Sequence, residues 1–232
     1  MPADPALAVL TDVHGNGFAL EAVIQDIQRP APDVIANLGD QGWGQADPVR
    51  ALQLQRALGA VEVRGNNDER LVMPAAALSP PLARLQSWLA QQLSPAELER
   101  LAALPTTASL AQGAVLMAHG TLASPWDSLL LGWEGAGYVR RPEAEIRQRL
   151  ERLAPAEVVL VGHMHREDVR RLDGRLLVSA GPVSAQVDGD PRTRWLHLIW
   201  RAGAGRSRPT ELHRAGRPRR PGKAGMAPWR IR

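Results

Sequence analysis

Through the first seventy residues, short apolar runs alternate with longer stretches of helical periodicity. The run "ALAVL" at residues 6–10 is followed by "FALEAVIQDIQ", "DVIANL" by "DPVRALQLQRAL", and "AVEV" closes the series at residues 60–63. This β-α-β-α-β order predicts a largely parallel sheet covered by helices, its strands apolar on both faces. Residues 69–105 are rich in Ala, Leu and Pro and contain "SPAELERLAALP". Its Leu and Ala spacing predicts an amphipathic helix with Ser94 as N-cap, Pro95 at the first helical position and Glu97 completing a capping box.

The second half opens with "TTASLA" and "AVLMA", two strand candidates joined by a turn at "QG". A loop carrying Trp126 and Trp133 follows, then a helix near residues 142–153. The pattern then becomes mostly strand: "EVVLV", "EDVRRL", "RLLVSA" and "TRWLHLIW". The "DG" at 173–174 between two such runs is a strong hairpin signal. A parallel first half and a more antiparallel second half predict an α/β fold of two mixed sheets packed face to face with outer helices.

Composition changes this picture mainly at the C-terminus. Of 232 residues 44% are hydrophobic, enough for one sizeable core. The net charge of +4 hides a division, because residues 201–232 hold ten Lys or Arg against the single acid Glu211. Eighteen bases and 23 acids remain upstream, so the first 200 residues are acidic. The expected organisation is a domain over 1–200 and a basic, Gly/Pro-rich, disordered tail over 201–232. Such a tail suits nucleic acid or an acidic surface, or is simply solvated. The absence of cysteine excludes disulfides, thiolate metal sites and a Cys nucleophile. No apolar run reaches membrane-spanning length and "MPADPALAVLTD" lacks a basic leader region, so a cytoplasmic protein without a membrane partner is expected.

Five of the apolar runs stop at residues that bind metals. "AVLTDVH" ends in Asp12 and His14, "VIANLGD" in Asp40, "VEVRGNND" in Asn66, Asn67 and Asp68, "AVLMAHG" in His119, and "VVLVGHMH" in His163 and His165. Ligands of open α/β sheets gather outside the carboxyl ends of the strands, so these residues should converge. One at a time each is weak, since a lone His beside a glycine is more often a satisfied structural residue and an Asp after "LG" is often only a helix cap or turn former. Together, two Asp, one Asn and four His form a donor set better suited to Mn²⁺, Zn²⁺, Fe or Ni²⁺ than to Ca²⁺. Seven donors exceed what one catalytic zinc takes, and two ions sharing a carboxylate fit the count.

"DVHGN", "GDQGWG", "RGNND", "AHG" and "GHMH" resemble the five motifs of the calcineurin-like metallophosphoesterases, and "SAGPVSAQ" resembles the strand and glycine turn that follow them. The likeness covers roughly the first 200 residues and is nearest to the small bacterial and archaeal phosphodiesterase-like branch. It implies a four-layer α/β sandwich. It also implies that Asp12, His14 and His165 hold one ion and Asn66, His119 and His163 the other, with Asp40 bridging. Asn67 stands where many members have a histidine that assists the leaving group, and Asp68 follows it; these two are the catalytic candidates, Asp68 as a residue that orients a neighbouring side chain or hydrogen-bonds the loop. A C-terminal helix frequent in this branch is not legible in the basic tail.

The chemistry expected is hydrolysis of a phosphoester, mono- or diester, in a small or nucleotide-like substrate. Two divalent ions, with Mn²⁺ taken first, supply a bridging hydroxide as nucleophile. Lowering the pKa of a bound water from 15.7 to about 7 is equivalent to roughly 12 kcal/mol, against about 3 to 5.5 kcal/mol for a proton donor. The ions therefore dominate. A metal-binding regulatory module with weak turnover and a nuclease drawing backbone affinity from the tail are the competing readings. Around the motifs, Asn16 is either a substrate contact or a turn residue. Trp43, Trp126 and Trp133 are stacking surfaces or packing, and Arg140 and Arg141 phosphate ligands or a solvated pair.

Overall fold

The computed structural model describes residues 6–135, 137–151, 156–199 and 208–214, the last through its backbone. Two five-stranded sheets form the centre. The first has the order β12-β11-β1-β2-β3, from Arg208–Arg214, Arg194–Ile199, Ala6–Leu10, Val34–Asn37 and Val61–Glu62. Its β1, β2 and β3 run parallel, and β11 and β12 are antiparallel to their neighbours. The second has the order β4-β5-β8-β10-β9, from Thr107–Leu110, Val115–Ala118, Val158–Val161, Arg175–Ser179 and Asp168–Leu172.

Alternation along each strand decides which face sees which layer. Leu7 and Val9 of β1 enter a core shared with Val158 and Leu160 of β8 and Leu176 and Val178 of β10, which places the two sheets face to face. Ala8 and Leu10 point the other way, onto Leu20 and Val23 of α1 (Gly17–Ile27) and Ala51 of α2 (Pro48–Ala57). On the opposite side, Val159, Val161 and Leu177 meet Ile146 and Leu150 of α6 (Glu143–Leu150). Helix, sheet, sheet, helix is the expected four-layer sandwich. A fourth cluster, with Trp43, Leu52, Leu89 and Leu101, seats α4 (Pro80–Gln92) and α5 (Pro95–Ala103) beside α2.

Most expected elements are present, and the differences have local causes. Ser94 caps α5 by accepting from Glu97 N at 3.2 Å, but Glu97 spends its carboxylate on Arg100 and Arg56, so the capping box is made in one direction only. The "DG" turn has Asp173 at φ 51° and Gly174 at φ 80°, the two left-handed positions of a type I′ hairpin. The loop expected around Trp133 is instead a hairpin of β6 (Leu131–Glu134) and β7 (Gly137–Arg140). Arg208–Arg214 falls within the expected tail yet forms β12, paired antiparallel with β11. An edge strand is held by its backbone and tolerates Pro209, so a polar, Pro-containing sequence gave no sign of it. Residues 201–207 and 215–232 of that tail lie outside the described residues. Among the described residues no helix is long and apolar enough to cross a membrane.

Candidate metal centre

The parallel strands of both sheets end on one side of the shared core, and their loops are stitched together by backbone bonds. Asp12 N donates to Gly39 O at 3.0 Å, His14 N to Asp40 O at 2.9 Å and Gly162 N to His119 O at 2.7 Å. This close approach needs glycine: a Cβ on Gly65 would lie 2.1 Å from Asp40 Oδ1, and one on Gly162 would lie 2.1 Å from Thr11 Oγ1. Five of the seven expected donors are held in the left-handed region, with φ of 55° at Asp12, 49° at His14, 57° at Asp40, 73° at His163 and 53° at His165. Left-handed backbone costs a non-glycine residue roughly 1–2 kcal/mol, and such strain gathers where side chains must be aimed.

The seven side chains do converge. His165 Nε2 lies 3.0 Å from His14 Nε2 and 3.3 Å from Asp12 Oδ1. Asn66 Oδ1 lies 3.0 Å from both His119 Nε2 and His163 Nδ1. Asp40 joins the two groups, its Oδ2 3.6 Å from His14 Nε2 and its Oδ1 3.5 Å from His119 Nε2. Asp12, His14 and His165 form one set able to hold a cation, and Asp12, Asp40 and His119 another. Asp12 is thus common to both sets of acids and histidines, while Asp40 reaches both groups through different oxygens.

The donors are prepared for cations by what lies behind them. Three rings place Nδ1 against a backbone carbonyl: His14 on Trp43 O at 3.1 Å, His119 on Leu38 O at 2.8 Å and His165 on Ala185 O at 2.7 Å. A ring donating from Nδ1 turns an Nε2 lone pair inward, the arrangement typical of metal-ligating histidine. Were all the rings neutral, His14 and His165 would face each other lone pair to lone pair, and His119 would present one to Asn66 Oδ1 or Leu38 O. Asp12 Oδ2 accepts from Thr11 Oγ1 and His163 N, whereas its Oδ1 is buried without a hydrogen-bond partner. The group therefore calls for positive charge at its centre, and its Asp and His donors suit a metal cation.

Titration follows the same demand. Burial works to lower His119 and His165, but the facing Asp40 and Asp12 carboxylates respectively push both up to about 9. Burial would raise Asp12 and Asp40, and the same imidazoles hold both below the usual carboxylate range. His163 is lowered, by burial and by the charge of His119. Protons occupy the centre where cations would.

The two catalytic candidates sit differently from the seven. Asp68 accepts from the backbone N–H of Asp40, Gln41 and Gly65, each at 2.9 Å, and so fastens the Asp40 loop to α3 (Asn66–Arg70). Burial and the Asp40 charge push Asp68 up to about 6. All its hydrogen bonds go to backbone N–H groups, so the contacts it makes support the loop. Asn67 donates through Nδ2 to Asp40 Oδ2 and accepts at Oδ1 from Arg70 Nη1. Arg70 went unnoticed in the sequence; its only signal was the i, i+3 spacing from Asn67.

The remaining candidates make the following contacts. Asn16 caps α1 by accepting from Ala19 N and donates to Ser184 Oγ. Trp43 is buried, Trp133 is exposed against Tyr138, and Trp126 lies over Arg70. Arg140 pairs with Asp168 at 2.6 Å and Arg141 with Asp127 at 3.0 Å.

The model of the calcineurin-like phosphoesterase superfamily domain matches residues 6–199. The chain belongs to that superfamily. Metal dependence is a property of the superfamily, in keeping with the donor sets here. The phosphoesterase chain is similar to a crystallised metallophosphoesterase from Sphaerobacter thermophilus, 26% identical, with 91% of this chain and 89% of that chain covered at a TM-score of 0.69. A hypothetical protein from Pyrococcus horikoshii OT3 shares the fold at 15% identity, 88% and 86% coverage and a TM-score of 0.70. The phosphoesterase Yfce from E. coli shares it at 15% identity, 84% and 90% coverage and a TM-score of 0.51. No curated protein matches the chain.

Proposed function

We propose that this phosphoesterase hydrolyses small or nucleotide-like phosphoesters with two divalent ions held in the donor ring. Asp12, His14 and His165 would hold one ion and Asn66, His119 and His163 the other, with Asp40 between them. The observation that carries this is the fully buried Asp12 Oδ1, which makes no hydrogen bond and faces imidazoles whose far nitrogens are tied to backbone carbonyls. When bound, the ions would activate a water and neutralise charge on the phosphoryl oxygens.

The chain's own part is to aim and to exclude. Asp40 is gripped by Asn67 through both N and Nδ2, which fixes the carboxylate that faces both groups. Asp68 holds the loop that carries it. An amide can donate a hydrogen bond but cannot hand over a proton near neutral pH, so Asn67 offers no general acid. Esters whose leaving groups depart readily as anions, such as nitrophenolate or a nucleoside phosphate, should turn over best and simple alkyl esters worst.

Metal analysis of the purified protein, followed by assays on aryl and alkyl phosphomonoesters and phosphodiesters with added Mn²⁺, tests this reading. Two ions per chain and hydrolysis that rises with leaving-group acidity are expected. Fewer than one ion per chain, or two ions with no hydrolysis of any ester, would refute it.

A further inference from the structure

Among the described residues Arg70, beside the donor ring, has no acid to pair with, and its neighbours explain why. Glu69, next in sequence, already accepts from Arg64 Nε at 3.1 Å and from the Trp126 indole N–H. Among the described residues no carboxylate comes within the 4.0 Å of an ion pair with Arg70. Its hydrogen-bonding partner is the neutral Asn67 Oδ1, and its Cζ lies 4.8 Å from the centroid of the Trp126 ring. From behind, Gln86 of α4 donates to Arg70 O and Met73 O, both at 2.7 Å, and so fixes the backbone.

A half-buried guanidinium held on one edge and one face has little rotamer freedom left to lose, and its other N–H groups form a planar fork suited to phosphoryl oxygens. Its charge is not there for Asp40 alone. With two divalent ions in the ring, Asp12 and Asp40 return only part of the positive charge, so Arg70 then adds a cation to a cationic centre. That arrangement is favourable only when an anion enters.

Resting on the phosphoesterase reading above, we propose that Arg70 is an anion-binding residue of this site, its guanidinium taking an oxygen of the substrate's phosphoryl group while Asn67 and Trp126 hold it in place. Asn67 then links two tasks: its Nδ2 orients Asp40 and its Oδ1 orients Arg70.

The test is calorimetric binding of inorganic phosphate to the metal-loaded protein. Arg70→Ala should weaken it about 10- to 100-fold, the range for losing a charged hydrogen bond, and raise KM, with metal content unchanged. Arg70→Lys should fall between, since an ammonium keeps the charge without the fork. Added guanidinium ion should recover part of the binding in Arg70→Ala and none in the wild type, which a packing role would not produce. Trp126→Leu, which leaves every donor and Arg70 in place, should cost about 3- to 10-fold; it decides the matter if Arg70→Ala does not fold. Phosphate binding within about twofold of wild type in metal-loaded Arg70→Ala, or an unchanged Trp126→Leu where that variant decides, overturns the proposal. A metal-loaded wild type that binds no phosphate and cleaves no ester overturns the phosphoesterase reading with it.

Discussion

Along β1, Leu7 and Val9 enter the apolar core between the sheets, and two residues beyond the end of the strand Asp12 is fully buried with an oxygen lacking any hydrogen bond. The same contrast holds along β8, where Val158 and Leu160 lie in the core and His163 and His165 follow in left-handed backbone. The core lowers the free energy of the fold through close fit. The ring raises it through buried charge and strained backbone. A strained, half-satisfied ring persists because it is rooted in five strands whose other ends are locked by packing. Stability and function are thus separated by two residues of chain, and substitutions on either side of that line should behave in opposite ways.

The largest effect is expected from Leu160→Ala, which empties a fully buried site between the sheets. A loss of about 2–5 kcal/mol in urea unfolding is expected, with little change in metal affinity while the protein stays folded. Selective loss of metal from a stable Leu160→Ala protein would break the separation. Next, Asp40→Asn removes the carboxylate that faces both groups, so metal analysis should find both ions depleted together and activity down more than about 100-fold. Two ions and full activity in that variant would remove Asp40 from its bridging role.

A smaller effect follows from protonation. His119 and His165 are pushed up to about 9 in the folded chain, against about 6.5 when unfolded. The metal-free fold therefore holds protons that the unfolded chain releases. Their contribution to stability is complete below about pH 6.5 and is lost as pH rises through 9. Urea midpoints in chelator should fall over that interval, whereas with Mn²⁺ bound the ions replace the protons and no such fall is expected. Equal pH dependence in both conditions would contradict the exchange. The smallest effect concerns strain: His163→Gly frees a residue at φ 73°, so the metal-free protein should keep its stability to within about 1 kcal/mol while metal affinity drops. Marked destabilisation of metal-free His163→Gly would show the ring to be part of the core after all.

How much of this was readable in the sequence depended on how local the cause was. β1, β5 and β8 announced themselves because burial on both faces demands unbroken apolar runs, and the donors were legible because each ends such a run. The "DG" turn was legible because its two left-handed positions select those residues. By contrast, α4 hid behind Pro80 and Pro81 and shows only Gln86 and Leu89 fully to the interior, too few for a clear stripe. The hairpin at Trp133 leaves its aromatic pair in solvent, so no alternation marked it. Asp68 was legible as part of "RGNND" and as a residue able to bond the loop, but its partners at Asp40 and Gln41, 28 and 27 positions away, were not. Arg70 is not legible as a site residue because an arginine on a short helix carries no sign of whether an acid will reach it.

The ring also sets an order of events in the life of the chain. Asp12, His14, Asp40 and Asn66 belong to the first seventy residues and the remaining three donors to positions 119 to 165, with His14 and His165 meeting across 151 positions. During synthesis the emerging amino-terminal half exposes both acids long before the later donors can reach them. A cation met at that stage finds loose, exchangeable contacts, and firm capture waits for the second sheet to dock onto the first. Tight metal retention therefore reports that both halves of the polypeptide have found each other.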